Sequence, residues 1–428
     1  MAAPLDQRHR VVVVGAGFAG LAAVRELAGR DVRVALIDAR NFHTFQPLLY
    51  EVATAGLDPA DIAFPVRAMF GRFANVTFRR GRVERIDVDR RVVSLDDGDV
   101  PYDSLVVATG VTASYFSIPG AEEGSHPLYT LSDARALRNA LLERLEAAAA
   151  VSAGDRGHAL RIVVIGGGAT GVEVAGAIVE LLDISIKHDR VPFDRDGSTV
   201  TLVDALGRLL GAFSERSSAY ALEELVRRGI KVRLGVAVAS VDASGVHLAD
   251  GRTLDADLVV WAAGVTAAGT LAATLPAASA SGGRVVVGSD LSLPGHPEVY
   301  VVGDAAAVPL GPAGGLAPQV AQTAMQSGRY AARRVLAALD GSATAPFAYF
   351  DKGMMATIGR RAAVAELTGP GPLRGRVLRG TTGWLAWLGL HLLYLVGVRN
   401  RIIVLLNWWW RYVGWASGPR IIVDDETE

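Results

Sequence analysis

The chain contains no cysteine among its 428 residues, so disulfide bonds, cysteine-ligated iron–sulfur clusters and thiol redox chemistry are all excluded. Excess charge of either sign is also lacking, since 43 basic residues face 44 acidic ones, and nothing indicates a nucleic-acid partner. The first apolar run begins at Val11 and is soon broken by glycines, which is not the pattern of a secretory signal peptide. Together with a mean hydropathy of +0.29, these absences predict a cytoplasmic protein in contact with a membrane surface.

The opening stretch, residues 11–38, has the pattern of a dinucleotide-binding unit. A strand of four valines leads to a glycine-rich turn, an apolar helix and a second strand that ends on an acid. The glycines permit a tight turn and close approach of a pyrophosphate, the helix N-terminus attracts its charge, and the acid can bind ribose hydroxyls. The predicted contacts are Gly15, Gly17, Phe18, Ala19, Gly20 and Asp38.

The same pattern returns between residues 161 and 204, and the similarity continues beyond it. A second apolar strand, a Gly-x-Gly-x-x-Gly turn and a helix precede a strand that ends on an acid. Residues 103–113 are echoed by residues 257–267 at nearly the same offset along the chain. We therefore predict two dinucleotide-binding units of similar build, which is an α/β fold with two Rossmann-like domains. The further predicted contacts are Ala108, Thr109, Gly110, Gly166, Gly168, Thr170, Gly171, Asp204, Ala263 and Gly264.

Two nucleotide sites in one chain indicate hydride transfer from a nicotinamide to a flavin, which can pass the electrons on. Gly303 and Asp304 follow a strand beyond the second unit, where the acid can bind the ribityl hydroxyls of a flavin or serve as a helix N-cap. Asp204 favours NADH over NADPH, because a carboxylate repels a 2′-phosphate. We predict an FAD-binding domain of residues 1–115 and 297–375, an NADH-binding domain of residues 116–296 and a membrane-anchoring C-terminal region of residues 376–428.

Two polar features outside the glycine turns are candidate site elements. The aromatic and apolar segment of residues 45–54, which contains Gln46 and Pro47, can wall a flat aromatic ligand or form a buried connection. Glu173 follows the second glycine turn closely. It either faces the nicotinamide or a proton path, or it is an acid favoured at a helix N-terminus for its charge alone.

A predicted helix beginning at Ala321 carries a pair of glutamines, Gln322 and Gln326, on one face. Paired amides can hold the carbonyl oxygens of a ring substrate, and the alternative is that both are simply solvated. We include both glutamines and Glu173 among the candidate catalytic residues, and Ala321 among the cofactor contacts. No metal site is predicted.

The C-terminal region differs in character from the rest of the chain. Residues 381–398 carry no charge, and four of the seven tryptophans follow, at positions 408, 409, 410 and 415. Tryptophan and arginine beside aliphatic runs suit the headgroup boundary of a bilayer. We predict two helices lying in one leaflet, with residues 381–415 on the lipid surface. A buried oligomer interface and a true membrane span are the alternatives.

The chain resembles the type II NADH:quinone oxidoreductases, a family of single-chain flavoproteins at membrane surfaces. The resemblance covers nearly the whole length and is most specific in residues 45–54, residues 321–326 and the tryptophan-rich tail. It implies non-covalent FAD, NADH as the hydride donor and a membrane quinone as the electron acceptor, without proton pumping. It also implies a homodimer, bound peripherally to the cytoplasmic face of the cell membrane.

The resemblance assigns roles to individual residues. Asp38 would bind the adenosine ribose of FAD, Thr109 would lie near the pyrophosphate, and Asp304 would bind the ribityl chain. Gln322 would lie near flavin and quinone, and Glu173 near the nicotinamide. One departure is that the acid closing each second strand is aspartate here, where the family more usually has glutamate. An NADH-binding flavoprotein that serves as a slow redox sensor or membrane scaffold is the alternative function.

Overall fold

A computed structural model describes residues 7–150, 159–187, 196–267, 274–311, 314–369, 371, 374–414 and 420–423. The chain divides into two units. The first unit comprises Met1–His43, Phe64–Thr112 and Val265–Asp351. The second unit comprises Thr44–Ala63, Ala113–Gly264 and Lys352–Glu428.

The helices in chain order are α1 (Phe18–Leu27), α2 (Leu49–Ala53), α3 (Pro59–Ile62), α4 (Val66–Phe70), α5 (Leu131–Ala149), α6 (Ala169–Lys187), α7 (Glu215–Arg227), α8 (Ala321–Leu339), α9 (Gly380–Tyr394) and α10 (Val398–Trp409). Single 3-10 turns lie at Gln46–Leu48, Ser281–Gly283 and Gly303–Ala305, and a π-helical turn at Trp410–Gly414.

The strands in chain order are β1 (Arg10–Val14), β2 (Arg33–Asp38), β3 (Phe42–Thr44), β4 (Ala63–Pro65), β5 (Val76–Arg80), β6 (Val83–Asp87), β7 (Val92–Leu95), β8 (Gly98–Pro101), β9 (Ser104–Val107), β10 (Val111–Ala113), β11 (His126–Pro127), β12 (Arg161–Ile165), β13 (Thr199–Asp204), β14 (Lys231–Leu234), β15 (Val238–Asp242), β16 (Gly245–Leu248), β17 (Thr253–Asp255), β18 (Leu258–Trp261), β19 (Val265–Ala267), β20 (Val285–Val286), β21 (Ser292–Leu293), β22 (His296–Val301), β23 (Ala306–Ala307), β24 (Met354–Gly359), β25 (Ala362–Glu366) and β26 (Val377–Arg379).

The first unit is built on a six-stranded sheet with the order β21-β22-β9-β1-β2-β5. Strands β22, β9, β1, β2 and β5 are parallel, and Val12 of β1 lies in register with Ala35 of β2 and Leu105 of β9. The valines of β1 are buried because a central parallel strand is covered on both faces, which is why it reads as a continuous apolar run. Helices α1 and α8 pack together beside this sheet.

The second unit repeats this plan with a five-stranded sheet of order β11-β18-β12-β13-β14. All four pairings are parallel, and β12 occupies the central position that β1 has in the first unit. Residues 44–63 and the C-terminal region add to this core. Helix α2 packs on α5 and α6, α10 packs on α3, and α9 packs on the antiparallel strands β25 and β26.

The predicted fold class is confirmed, and the predicted domain borders stay a prediction. Residues 265–296 group with the first unit, while residues 44–63 and 352–375 group with the second. The C-terminal region also groups with the second unit. These assignments depend on packing between distant segments, which local sequence patterns do not report. Which cofactor each unit binds stays a prediction.

The C-terminal region forms two helices, α9 and α10, separated at Gly397, whose φ of +88° favours glycine. Within the described part of the chain, no helix combines the length and the apolar character needed to cross a bilayer. Trp415, which we predicted to lie on the lipid surface, is outside the described residues.

Candidate active site

The first glycine turn is shaped to let a ligand approach the backbone. Gly15 has a φ of +103°, and a Cβ there would lie 2.3 Å from the carbonyl oxygen of Ala108. A Cβ on Gly17 would meet nothing within 4 Å. Helix α1 begins at Phe18, and no side chain caps its N-terminus, so the positive end of the helix faces this open space. The turn therefore fits a phosphate group.

The acid that ends the second strand has the same structural role in both units. Asp38 accepts hydrogen bonds from the backbone N–H of Ala16 (2.7 Å) and of Arg40 (2.8 Å). Asp204 accepts from the backbone N–H of Gly167 and, at 2.6 Å, from that of Leu206. Each carboxylate thus ties its glycine turn to its strand, a role that sequence reasoning missed. Each oxygen keeps a second lone pair, so binding of a ribose hydroxyl stays a prediction.

Asp304 is the strongest sign of a ligand in the first unit. Burial raises the pKa of its carboxyl to about 6, although the charge of Arg284 lowers it. Among the described residues, neither its buried Oδ1 nor the buried hydroxyl of Thr109 has a hydrogen-bond partner. Unpaired buried polar atoms are costly, so a hydroxyl-bearing ligand such as the ribityl chain of a flavin fits here. The N-cap alternative is not supported, because Asp304 lies inside the Gly303–Ala305 turn and Val302 is its N-cap.

Helix α8 brings its N-terminus towards Gly303 and the start of α1. A Cβ on Gly303 would lie 3.0 Å from Cβ of Ala19 and 3.5 Å from Cβ of Ala324. The backbone N–H of Gly303 donates to Ser327 Oγ at 3.0 Å. Ala321 is the first residue of this helix, and no side chain caps it. The helix start is thus a second source of free N–H donors in the first unit.

The two glutamines of α8 form hydrogen bonds to the neighbouring residues Phe350 and Asp351. Gln326 donates to the carbonyl oxygen of Phe350 and accepts from its backbone N–H, both at 2.9 Å. Gln322 donates to Asp351 Oδ1 at 3.3 Å, near the upper limit for a hydrogen bond. Gln326 therefore binds the backbone of Phe350 through both atoms of its amide, and binding of a substrate oxygen by Gln322 stays a prediction.

The second glycine turn copies the first. Gly166 has a φ of +111°, and a Cβ there would lie 2.4 Å from the carbonyl oxygen of Ala262. A Cβ on Gly168 would meet nothing within 4 Å. Thr170 lies in the first turn of α6, and Ala263 and Gly264 follow the end of β18. The second unit therefore presents the same kind of phosphate cradle.

Glu173 lies one turn inside α6, so it is not the N-terminal acid that one alternative assumed. Burial, with a smaller contribution from the charge of Glu51, raises the pKa of its carboxyl to about 8. The backbone N–H of Thr357 donates to Glu173 Oε1 at 3.3 Å, and this bond and the Trp387 indole lower the pKa in part. At neutral pH the group is thus mostly a neutral carboxylic acid that can release a proton.

Close to Glu173 lies a buried ion cluster that sequence reasoning missed. Arg411 Nη1 lies 2.5 Å from Glu51 Oε2, and Arg411 Nη2 lies 3.5 Å from Glu180 Oε2. The Tyr50 hydroxyl donates to Glu51 Oε1 at 3.1 Å. The side chains of Glu51 and Arg411 are only 3% and 10% exposed. A charged residue within each of two otherwise apolar segments was the available signal, but nothing local paired them.

The segment of residues 45–54 contributes Tyr50 and Glu51 to this cluster. Phe45 is buried, and Gln46 donates from Nε2 to the carbonyl oxygen of Tyr129 at 3.3 Å. Pro47 lies in the Gln46–Leu48 turn and, like Gln46, is half-buried. The segment is mostly buried, with Gln46 and Pro47 partly exposed, and its role as a wall for a flat ligand stays a prediction. Contact of Gln46 or Pro47 with a cofactor stays a prediction.

Comparison with known proteins gives consistent results. The sequence model of the family described as pyridine nucleotide-disulphide oxidoreductase matches residues 9–328. Type II NADH:quinone oxidoreductase Ndh of Mycobacterium tuberculosis is 37% identical, covering 98% of this chain and 91% of that protein. NdhA of the same organism, also described as a type II NADH:quinone oxidoreductase, is 39% identical, covering 97% and 89%.

The fold also matches a solved structure. The solved structure of NDH2 from Plasmodium falciparum in complex with NADH covers 98% of this chain and 100% of its own, with a TM-score of 0.84 and 18% identity. That likeness concerns the fold alone. The matches to the mycobacterial proteins cover nearly the full length of this chain and most of theirs. We conclude that this chain belongs to the type II NADH:quinone oxidoreductase family.

Proposed function

We propose that this chain oxidises NADH and reduces a membrane quinone without pumping protons, with FAD bound by the first unit and NADH by the second. Bound FAD would accept hydride from the nicotinamide and pass two electrons to the quinone. The observation that carries the assignment of FAD is the unpartnered buried oxygen of Asp304 beside the first glycine turn. The second, similar turn then remains for NADH.

The protein residues would bind, orient and supply protons. Asp304 and Thr109 would accept and donate hydrogen bonds to the ribityl and phosphate groups, and the free N–H groups of α1 would bind the pyrophosphate. Gln322 would donate its amide to a quinone oxygen. Glu173, which is protonated at neutral pH, would hold a proton for the reaction. Because the chain has no cysteine, the electrons cannot pass through a thiol.

Rapid mixing of the FAD-loaded protein should separate the two half-reactions. We expect NADH to bleach the flavin absorbance and a soluble quinone to restore it. Gln322→Leu should slow the second phase by roughly tenfold, since a hydrogen bond made in the transition state is lost, while sparing the first. Gln326→Leu, which removes the two hydrogen bonds to the Phe350 backbone, is the matched control. If quinone does not speed turnover of NADH, the sensor or scaffold alternative is favoured instead.

We further propose that α9 and α10 bind the cytoplasmic face of a membrane. Most exposed side chains of these helices are apolar, with Leu393 69%, Val398 72% and Ile402 52% exposed. The polar exceptions are Thr381, Thr382 and Arg399. A contiguous apolar surface of this kind suits a bilayer interface. The guanidinium of Arg401, which is partly exposed, donates to the carbonyl oxygens of Leu393 and Leu395 at the end of α9.

Introducing negative charge on this apolar surface should release the protein from lipid. We expect the triple variant Leu393→Glu, Ile402→Glu and Leu406→Glu to lose at least about tenfold in binding to phosphatidylglycerol-containing vesicles, measured by co-sedimentation. Leu339→Glu is a matched control, because this leucine is 44% exposed on α8 of the first unit.

The same variants distinguish a membrane surface from an oligomer interface. If the triple variant binds vesicles like the unmodified protein but changes from dimer to monomer by light scattering, the surface is an oligomer interface. The predicted homodimer would then form through α9 and α10. If both vesicle binding and mass are unchanged, neither role applies to these helices.

A further inference from the structure

A four-residue turn in the second unit, residues 115–118, contains residue types that rarely adopt its backbone conformation. The backbone N–H of Ile118 donates to the carbonyl oxygen of Tyr115 at 2.9 Å, which closes the turn. Its two central residues, Phe116 and Ser117, have φ values of +53° and +57°. Turns with positive φ at both central positions belong to the type I′ class, which strongly favours glycine, asparagine and aspartate. Phenylalanine at the first of these positions is an outlier.

The free-energy cost of this backbone conformation is not offset by packing of the phenylalanine ring into a core. Phe116 is 61% exposed, and the burial of apolar surface that usually justifies a large aromatic side chain is largely missing. Local rules of sequence and structure are broken mostly at functional sites, where the strain has a purpose. The position of the ring shows what that purpose is.

The turn is held firmly against the end of β18. The backbone N–H of Ser114 donates to the carbonyl oxygen of Gly264 at 3.0 Å, and the Trp261 indole N–H donates to the carbonyl oxygen of Ser114 at 2.8 Å. The rings of Tyr115 and Trp261 pack with their centroids 5.3 Å apart. The Phe116 ring then lies directly over Gly264, where a Cβ would be only 2.4 Å from its Cζ. Glycine at 264 thus makes room for the ring.

This ring lies at the nucleotide-binding edge of the sheet. Strand β18 is the neighbour of β12 on the side opposite β13. A Cβ on Gly166, in the glycine turn after β12, would be 2.8 Å from Cα of Ala263, the residue before Gly264. In a dinucleotide-binding sheet the pyrophosphate lies at the turn after the central strand, and the adenosine lies over the strand that ends in the acid, here Asp204. The other half of the dinucleotide must then extend towards β18 and Phe116.

We propose that Phe116 is an aromatic platform that binds the nicotinamide half of the dinucleotide in the second unit. This inference rests on the proposed assignment of NADH to that unit. An exposed aromatic face next to a side-chain-free glycine offers a flat apolar surface for a flat ring, and stacking of this kind needs no hydrogen-bonding group. The strained turn holds the ring in place before the ligand arrives, which lowers the entropy lost on binding.

Binding of NAD⁺ and of ADP-ribose to the FAD-loaded protein, measured by calorimetry, tests this role. ADP-ribose lacks the nicotinamide but keeps both phosphates and the adenosine. We expect Phe116→Leu to weaken NAD⁺ binding about fivefold, the size of a lost aromatic stack, and to leave ADP-ribose binding unchanged. Phe116→Tyr, which keeps the ring, should bind both ligands like the unmodified protein.

Phe116→Gly separates the role in binding from a role in folding. Glycine adopts positive φ without strain, so this variant should unfold at a temperature no lower than the unmodified protein while binding NAD⁺ as weakly as Phe116→Leu. Equal affinity of NAD⁺ for the unmodified protein and Phe116→Leu would overturn the inference, as would an equal loss for ADP-ribose. If the unmodified protein binds neither ligand, the assignment of NADH to this unit fails as well.

Discussion

Replacing Arg411 by leucine should destabilise the second unit by about 3–5 kcal/mol, because Glu51 would be left as a buried charge without its cation. Its carboxylate is 3% exposed, and the Tyr50 hydroxyl would remain as a neutral donor. Glu180 would keep a cationic partner, since Arg228 Nη1 also lies 3.3 Å from its Oε1. The loss should therefore come mainly from Glu51.

All seven tryptophans belong to segments of the second unit, so their fluorescence during urea unfolding reports on this unit. Arg399→Leu is the matched control, because Arg399 is an exposed arginine on α10, and its replacement should change stability by no more than about 0.5 kcal/mol. The double variant with Glu51→Leu and Arg411→Leu should recover much of the free energy of unfolding that Arg411→Leu alone loses. Similar unfolding midpoints for Arg411→Leu and Arg399→Leu would mean that the buried pair adds no stability.

Glu173→Gln should change how the stability of the second unit depends on pH. The pKa of Glu173 is about 8 in the folded protein, against an ordinary value of 4.5. Between pH 4.5 and pH 8, Glu173 therefore carries a proton in the folded state but not in the unfolded chain. The stability linked to this proton is fully present below pH 4.5 and is lost as the pH rises through 8. Glutamine does not titrate and avoids the cost of burying a charge.

We therefore expect Glu173→Gln to have nearly the unmodified stability at pH 5 and to be more stable by about 2–4 kcal/mol at pH 9. Thermal unfolding followed by tryptophan fluorescence at pH 5, 7 and 9 measures this difference. Glu223→Gln, an exposed glutamate on α7, should show no such trend and serves as the control. A constant gap between Glu173→Gln and the unmodified protein across this range would show that Glu173 does not titrate as a buried acid.

Local patterns predicted the parts of the molecule that are local in the structure. Each glycine turn, its flanking strands and its helix lie within a few tens of residues, and the need for positive φ at Gly15 and Gly166 is a property of the turn itself. The aspartates at the strand ends were also predicted, although each accepts a hydrogen bond from the backbone of its glycine turn. The two units follow from these turns because each implies its own parallel sheet.

The roles of buried polar groups depended on distant partners. Gln322 and Gln326 were equivalent by spacing, and their partners, Asp351 and Phe350, lie in a later segment of the chain. Glu173 was indistinguishable from an acid near a helix start until its surroundings, with Thr357 and Trp387 far along the chain, were known. Phe116 carried no signal at all, since neither the sign of its φ nor its contact with Gly264 can be read from the residues around it.

The sequence by itself determined the Rossmann-like turns, the lack of thiol chemistry and the apolar, tryptophan-rich tail, because residue type and short spacing suffice for these. Only the tertiary structure decided that Glu51 meets Arg411, that Glu173 is held as a neutral acid, and that an aromatic ring lies over Gly264. The physical reason is that burial and charge pairing depend on segments far apart in the chain. A dihedral preference or a glycine turn, in contrast, is governed by its own few residues.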